Sequence, residues 1–391
     1  MVGFASLVWG PASDKYGRKI IYIAASIFFI ATSIVCMFAP NIGVLVAFRA
    51  LQGISVAAFL SVGSGTLADV FPPFLLGTAN GLFMIPLLVG PIIGPLLGGG
   101  LAQAFGWRST FICLTVFSGA VILPLLLLKL PETQQFKELQ KLKEKNPVLA
   151  ASLKEAEFID SNPPVFHPPW VPLRFLLEGA IFPHALVASI TFGSMFASLT
   201  EFPIALSAAP YSLSVGIIGV CYLPQGVGSF LASPIFGKLS DYAASKNPDE
   251  PEARLVYSTL STLIMMPPAL LLYGWALDYK ISIAACLIGQ FFIGASCASY
   301  LPGIFGYLAA LKQSAAGAAS AAVQTTMFVS AGALIIVSSV VVGAIGMGPF
   351  FTILAGLQFI FSLAAFILIM KKKRASEVRQ AESPPPKSET A

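Results

Sequence analysis

Two charged residues, Arg49 and Glu201, lie inside long apolar segments. A charge at the middle of a bilayer costs ~2.5 kcal/mol or more on insertion scales, so such residues usually have a function. The Glu201 carboxyl group can carry a proton; the alternative is that it marks the outer end of its segment, just before Pro203. Arg49 either faces a polar interior or extends its long side chain to the surface near Asn41.

Six uncharged polar residues also lie in apolar segments and are candidates for the lining of a substrate cavity: Gln52, Tyr222, Gln225, Gln290, Tyr300 and Gln324. Gln52 follows Arg49 by three positions and therefore falls on nearly the same helix face. Taken one at a time, each of these groups is more often a hydrogen bond between packed helices than part of a binding site. The sequence is compatible with both interpretations.

The segment from Gly81 to Gly99 carries no charge and has regularly spaced glycines. Gly90, Gly94 and Gly98 are four residues apart, so they stack on one face of a helix. Small residues let membrane helices approach closely, and the prolines of this segment remove helix donors and bend it. We expect a close, bent helix contact that acts as a seal; the alternative is an ordinary packing face of a membrane bundle.

The segment GPASDKYGRK, which begins at Gly10, is a charged turn between two apolar segments. Gly10 and Gly17 permit a tight turn. Asp14 can face the amino terminus of a helix, where a negative charge is favoured. The alternative is that the basic residues only orient the chain in a membrane, but Asp14 would be misplaced in such a signal.

Composition places the chain in a membrane. Of its 391 residues, 56% are hydrophobic and 10% are charged, with a mean hydropathy of +0.83, whereas soluble domains carry about 25% charged residues. The two histidines lie in or beside a loop, so no metal cluster is expected, and neither a nucleotide-binding loop nor a cofactor site is found. The net charge of +5 is attributed to basic loops rather than to a nucleic-acid surface.

Ten apolar segments are long enough to cross a bilayer as helices. They lie at about 20–39, 43–69, 78–103, 109–129, 181–205, 212–236, 254–276, 281–306, 315–343 and 348–370, and residues 2–11 look like the end of another. With the loop after residue 11 inside the cell, the basic residues outside are Arg108 and Lys280. Arg49 is within a span, and the other lysines and arginines are inside. The positive-inside rule therefore predicts this orientation.

A long interruption at 131–180 divides the chain. We expect residues 1–130 to form an amino-terminal half and 131–180 to form a cytosolic loop with a surface helix in its charged first part. Residues 181–370 are expected to form a carboxyl-terminal half of six spans. Residues 371–391 are basic and then rich in Ser, Pro and Glu, which predicts a disordered cytosolic tail.

Three of these segments resemble motifs of drug:proton antiporters in the major facilitator superfamily. The segment that begins at Gly10 resembles motif A, with Asp69 in the place of the acidic partner of the motif's arginine, here Arg18. The sequence RALQG from Arg49 resembles motif B. The glycine segment ending at Gly99 resembles motif C, the antiporter signature.

Motif A is repeated in part in the second half of the chain, from Gly237 to Asp241. The basic end of the motif is replaced there by Ala243-Ala244-Ser245. We therefore expect a second gate that is weaker than the first.

The resemblance implies an all-α membrane fold with two pseudo-symmetric six-helix halves. Six spans follow the central loop, but four whole spans and a fragment precede it. Residues 2–11 would cover ~15 Å of a ~30 Å hydrocarbon core. We therefore expect the first span to be missing and the second to be incomplete.

In the family, motif A ties the two halves together in the state that is open to the outside, and the motif B arginine faces the cavity and is linked to proton coupling. Proton coupling is therefore expected at Arg49, with Glu201 as the second candidate. The conformational gates are expected at Gly10, Asp14, Gly17, Arg18, Asp69, Gly90, Gly94, Pro95, Gly98, Gly99, Gly237 and Asp241.

The resemblance implies a fungal secondary transporter and not an enzyme, with proton-coupled efflux of drugs, toxins or secondary metabolites by alternating access. The expected partners are a small-molecule substrate, protons and the lipid bilayer, with the protein acting as a monomer in the plasma membrane or, alternatively, the vacuolar membrane. One alternative is an exporter of organic acids such as citrate or itaconate. For such a substrate, Arg49 is the single cation that the sequence offers in the predicted cavity. Another is a sugar or nutrient symporter or sensor, although the sugar family's Pro-Glu-Ser-Pro-Arg sequence after the sixth span is absent.

Overall fold

The computed structural model describes residues 1–127, 131–146, 168, 170–247, 250–312 and 315–382. The first half consists of α1 (Val2–Tyr16), α2 (Arg18–Met37), α3 (Ile42–Val70), α4 (Leu76–Phe105) and α5 (Arg108–Leu127). Two short helices follow, α6 (Gln135–Lys145) and α7 (Val171–Phe175). The second half consists of α8 (Phe182–Ser207), α9 (Val215–Cys221), α10 (Leu223–Lys246), α11 (Val256–Asp278), α12 (Ile283–Leu311), α13 (Ala316–Ile345) and α14 (Met347–Glu382).

The predicted all-α membrane fold is confirmed. Within the described residues, nine helical segments are long and apolar enough to cross a bilayer. The remaining predicted span, 109–129, corresponds to α5, whose described apolar part is the shorter Arg108–Val121. The end of that predicted span, like most of the predicted surface helix beyond α6, lies outside the described residues.

Two helices extend well past their predicted apolar spans. The helix α10 continues from the predicted end at 236 to Lys246, and α14 continues from 370 to Glu382. The expectation of a disordered tail is therefore wrong for residues 371–382, and residues 383–391 lie outside the described part. Both extensions contain good helix formers and no proline or glycine past Gly237, so the helix continues after the apolar pattern stops.

The two halves meet through a few helices. In the second half, α8 packs against α13 and α14, α10 packs against α12, and α11 packs against α12 and α14. In the first half, α2 packs against α3 and α5. Contacts between the halves join α1 and α3 to α13, and α4 to α9, α10 and α12. The interface between the halves is therefore built from these seven helices.

The predicted close contact of Gly90, Gly94 and Gly98 is absent in this conformation. A Cβ atom placed on Gly90 or Gly94 would meet nothing within 4 Å, and one on Gly98 would lie 3.9 Å from the Thr110 side chain. Pro95 is exposed, and α4 is a continuous helix through this segment. Periodicity correctly placed these residues along one helix, but periodicity does not determine which face of a helix meets a neighbour.

The close contacts of α4 are made by glycines nearer its start. A Cβ atom on Gly77 would lie 2.5 Å from the Gly237 carbonyl oxygen, and one on Gly81 would lie 2.7 Å from the Ser233 carbonyl oxygen. The Ser233 hydroxyl group also donates a hydrogen bond to the Gly81 carbonyl at 2.6 Å. The backbones of α4 and α10 therefore touch at the first turns of α4, where side chains would keep them apart.

Substituting Gly81 with alanine should separate α4 from α10 at this crossing. The added Cβ would collide with backbone rather than with a flexible side chain, so the helices must move. We expect faster labelling of a cysteine placed at Ser320, which is 1% exposed on α13, by a membrane-impermeant maleimide in a Cys113→Ser background. The control is Gly119→Ala on α5, where the new Cβ meets nothing within 4 Å. Equal labelling in the two variants would contradict the close contact.

Candidate functional site

Arg18 joins two helix ends of the first half. Its guanidinium group donates to Asp14 Oδ1 at 2.7 Å and to Asp69 Oδ2 at 2.9 Å, and the residue is 5% exposed. We call these three residues the Arg18 cluster. Because a buried charge that loses its partner is strongly destabilising, the cluster fixes the end of α1 and the start of α2 to the end of α3.

The Arg18 cluster lies against the first turn of α13 in the other half. A Cβ atom on Gly317 would be 2.8 Å from Asp14 Oδ1, and a Cβ atom on Gly10 would be 2.8 Å from the Gly317 carbonyl oxygen. The Asp14 carboxylate thus lies at a helix amino terminus, where a negative charge is favoured. Gly17 is in the predicted turn, with φ of 93°. Gly10 is not in this turn; it lies within α1 and permits the close approach of α1 to α13.

The beginning of the central loop is attached to the Arg18 cluster. Glu132 Oε1 accepts hydrogen bonds from the backbone N–H of Arg18 at 2.7 Å and from that of Gln134 at 3.2 Å. The Gln134 side-chain amide donates to the Asp14 carbonyl. Glu132 therefore caps the amino terminus of α2 and attaches the start of the central loop to the Arg18 cluster.

Asp241 on α10 makes the equivalent contact in the second half. Its Oδ1 accepts from the Gly77 N–H at 2.8 Å and from Arg254 Nη1 at 2.8 Å. Its Oδ2 accepts from the N–H and the hydroxyl group of Thr78, both at 2.7 Å. We call Gly77, Thr78, Asp241 and Arg254 the Asp241 cluster. Arg254 thus supplies a positive charge where the basic end of the motif is missing, and the weaker second gate stays a prediction.

Both clusters lie at the same end of the bundle. Asp69 is at the end of α3, and Gly77 is the second residue of α4, which follows α3 after a connection of five residues. Deeper in the interface, the Gln324 side-chain amide of α13 donates to the Leu60 carbonyl of α3 at 3.2 Å. These bonds between halves close one end of the molecule, which is the end that the distribution of basic residues predicts to be cytosolic.

Arg49 has an exposed side chain on α3. Its guanidinium group lies over the Phe111 ring, 5.0 Å from the centroid, and it donates to Gln52 Oε1 at 3.3 Å. Gln52 in turn donates to the Ser33 hydroxyl group at 2.7 Å. The structure therefore brings Arg49 and Gln52 together, as their spacing predicted, and connects them to α2 and α5.

Glu201 is buried in the outer part of α8. The residue is 2% exposed, and its Oε1 accepts a hydrogen bond from the Ser338 hydroxyl group of α13 at 2.7 Å. Within the part of the chain that the structure describes, no ion pair is formed by this carboxyl group. Burial of a carboxylate is costly without a cation, so the structure does not support the interpretation that Glu201 merely marks a solvated helix end.

The six predicted cavity residues do not line one open cavity. Each is 5% exposed or less. Four of them form hydrogen bonds between helices: Gln52 to Ser33, Tyr222 to the Leu199 carbonyl, Tyr300 to the His184 carbonyl and Gln324 to the Leu60 carbonyl. Gln225 Oε1 and both amide atoms of Gln290 have no hydrogen-bond partner among the described residues. These two side chains are therefore the cavity candidates that keep free hydrogen-bonding capacity in this conformation.

Three residues with direct contacts to the charged groups were missed by the sequence analysis. In the sequence, Arg254 was considered only as one of the basic residues. Its position resembles that of Arg18, because each arginine follows an acidic residue and stands near the start of a span. Glu132 lies in a loop that carried no assigned role. Ser338 gave no signal, because serines are frequent in these helices and spacing does not reveal that one of them faces Glu201.

An apolar helical bundle in two halves, with acidic side chains of one half placed at helix amino termini of the other, is a polytopic membrane protein with charged contacts at the interface between its halves. A family model described as Major Facilitator Superfamily matches residues 1–277. The chain belongs to this superfamily, which is a family of transporters.

Several relatives are fungal transporters. The chain is 26% identical to the MFS antiporter QDR3 of Candida albicans, covering 97% of this chain and 71% of that protein. It is 30% identical to the MFS-type transporter penM of Penicillium rubens, covering 74% of this chain and 59% of that protein. It is 28% identical to the probable efflux pump mfs2 of Aspergillus flavus, covering 97% and 92%.

Solved structures share the fold. The human organic anion transporter MFSD10 superposes with a TM-score of 0.67 at 18% identity, covering 94% of this chain and 81% of that one. The proton:xylose symporter XylE superposes with a TM-score of 0.63 at 16% identity, covering 94% and 84%. At these identities the likeness concerns the architecture of the two halves.

Replacing Arg254 with glutamine should open the closed end. The change leaves Asp241 buried without its cation, and losing one partner of a buried pair costs about 3 kcal/mol or more, equivalent to roughly a hundredfold shift in a two-state equilibrium. Labelling of the Ser320→Cys reporter should therefore accelerate strongly. Lys238→Gln, an exposed change in the same motif, is the control and should label at the parental rate. Unchanged labelling of Arg254→Gln would show that the Asp241 cluster does not hold the end closed.

Proposed function

We propose that this protein is a proton-coupled secondary transporter that exports drugs, toxins or secondary metabolites by alternating access. The observation that carries the proposal is Glu201, a carboxyl group buried within a membrane-spanning helix and bound to a hydroxyl group rather than to a cation. The names of the fungal relatives, an antiporter and a probable efflux pump, support the direction of transport.

The acidic residues of the structure divide into two kinds. Asp14, Asp69 and Asp241 are paired with arginines. Adding a proton to any of them would break a buried ion pair, so these residues suit a gate that stays charged. Glu201 has no such partner among the described residues, so its charge can change without leaving a cation unpaired. Arg49 cannot release its proton in a protein, and we assign it to the cavity instead of to proton carriage.

Alternating access would use the two charged clusters as the cytosolic gate. They close the cytosolic end while the outer side admits protons, and their opening requires that α13 and α4 leave the carboxylates of Asp14 and Asp241. Glu201 contacts the same helix α13, through Ser338. Protonation at Glu201 and the position of α13 at the gate are therefore mechanically connected through one continuous helix. We place the transporter in the plasma membrane as a monomer with its central loop in the cytosol.

In proteoliposomes, an acidic medium outside should drive export of fluorescent lipophilic cations across the membrane. A pH difference of about 1.7 units stores ~2.3 kcal/mol per proton, enough for an accumulation of about fiftyfold. Glu201→Gln should lose this driven transport but keep dye-for-dye exchange, since exchange does not need the proton step. The exposed substitution Glu138→Gln on α6 is the control. Equal transport after protonophore treatment would overturn proton coupling, and transport of citrate or itaconate in place of the dyes would favour the organic-acid alternative.

Arg49→Ala should abolish dye transport while membrane targeting is retained. Alanine removes both the contact with Gln52 and the contact with the Phe111 ring. Arg49→Lys should restore part of the activity, because lysine keeps the charge but lacks the planar fork that reaches both partners. The measurement is initial transport rate normalised to surface expression. An alanine variant with the parental rate would show that Arg49 only extends to the membrane surface.

A further inference from the structure

A hydroxyl group on α13, that of Ser338, faces Glu201. Ser338 is fully buried on α13, and its single hydroxyl proton lies between two acceptors: Glu201 Oε1 at 2.7 Å and the Ile335 carbonyl oxygen at 3.0 Å. A hydroxyl group has one proton to donate and two lone pairs that can accept. Ser338 can therefore donate to the carboxylate, or donate to Ile335 and accept from a protonated carboxyl group.

The surroundings of Glu201 leave Ser338 as its direct partner. The facing helix α13 contains no titratable residue, and α14 contains none before Lys371. The titratable groups on the other elements packed around α8 at this level are Cys221, Tyr222, Tyr273, Asp278 and Cys286.

None of these groups competes with Ser338 for the carboxyl group. The hydroxyl protons of Tyr222 and Tyr273 are donated to the adjacent carbonyl groups of Leu199 and Ser198. Asp278, the last residue of α11, accepts a hydrogen bond from the Met347 N–H. Tyrosine and cysteine side chains are neutral at physiological pH, so the charge of Glu201 is offset mainly by the Ser338 dipole.

We propose that Ser338 is a positioning residue for the proton site at Glu201, and that its hydroxyl group reverses its hydrogen bond when Glu201 takes up a proton. This inference rests on the proposed function, since it assigns Glu201 as the proton carrier. One proton arrives from the outer solvent and forms the O–H bond of the carboxyl group. The Ser338 proton then turns to the Ile335 carbonyl, and the carboxyl group donates to Ser338 Oγ. When the proton leaves toward the cytosol, both bonds return to their first arrangement.

The reversal connects the protonation state to the contact between α8 and α13. In the charged state the bond from Ser338 is charge-assisted and roughly twice as strong as a neutral one. In the protonated state the contact is a neutral hydrogen bond and is weaker. Proton uptake therefore loosens the contact between α8 and α13 at Ser338. The first turn of α13 lies at Asp14.

The test is an infrared measurement on Glu201 that needs no transported substrate. Difference spectra of the purified full chain in lipid, recorded on acidification, would show the carboxyl band that disappears in Glu201→Gln. Ser338→Thr keeps the hydroxyl group, and Ser338→Val has nearly the same shape without it. Because Ser338→Val removes the hydrogen bond to the carboxyl group, we expect the frequency of this band to change. Ser338→Thr should keep the parental band.

Ser339→Ala is the matched control, since the neighbouring hydroxyl group is exposed and bonds its own helix at Ile336. The proposal is overturned if Ser338→Val keeps the parental band, if Ser339→Ala changes it as much, or if the band persists in Glu201→Gln. Dye transport is a separate measurement. A changed band without proton-driven transport would retain the Ser338–Glu201 pairing and reject the proposed function, whereas driven transport with an unchanged band would do the reverse.

Discussion

The closed end of this protein depends on carboxylates that lie at helix amino termini in the opposite half. The first N–H groups of a helix have no partner within the helix. The helices α3 and α12 satisfy one of theirs with their own cap side chains, Asn41 and Ser282. By contrast, α4 and α13 have no side-chain cap of their own. Asp241 binds two N–H groups at the start of α4, so this cap comes from across the interface. Asp14 lies close to the start of α13, where a negative charge is favoured, but its Oδ2 has no hydrogen-bond partner among the described residues.

This arrangement explains why both glycines and arginines accompany the carboxylates. A short aspartate side chain reaches the backbone of another helix only if the two helices are very close, and Gly77 and Gly317 permit that approach. Close approach also removes water, so each carboxylate needs a compensating cation. Arg18 and Arg254 supply it from different places in the sequence, one four residues and the other thirteen residues after its aspartate. In both halves an arginine therefore compensates the charge of the aspartate, but the arginine comes from a different position in the sequence.

The contacts that could be predicted from the sequence are those of charged residues in an apolar chain. Asp14, Arg18 and Asp69 are such residues, and the i,i+4 spacing of Asp14 and Arg18 predicts a contact between these two side chains. The partner Arg254 could not be found from spacing, since its contact depends on how the turn before α11 folds back onto α10.

Packing between helices also explains the remaining differences between the predicted and the observed structure. Periodicity placed Gly90 and Gly94 on one face, but only the crossing of α4 with α10 shows that Gly77 and Gly81 make the contact. Hydropathy underestimated α10 and α14, because a helix can continue through polar residues once it has left the apolar region. The pairing of Glu201 with Ser338 depends on the relative rotation of two helices, which is not a property of either sequence segment alone.

The polar residues around α8 show how a hydroxyl group can have a structural role next to a functional one. Pro203 has no N–H, so the Leu199 carbonyl loses its helical donor, and the Tyr222 hydroxyl group replaces that donor at 2.8 Å. Loss of this bond would leave a buried carbonyl group unsatisfied. Tyr222 thus holds the proline-interrupted turn in place. Glu201, two residues before that proline, is bound instead by a hydroxyl group with a second acceptor close by. Under the proposed function, the same helix segment combines a fixed polar contact with one that changes when a proton binds.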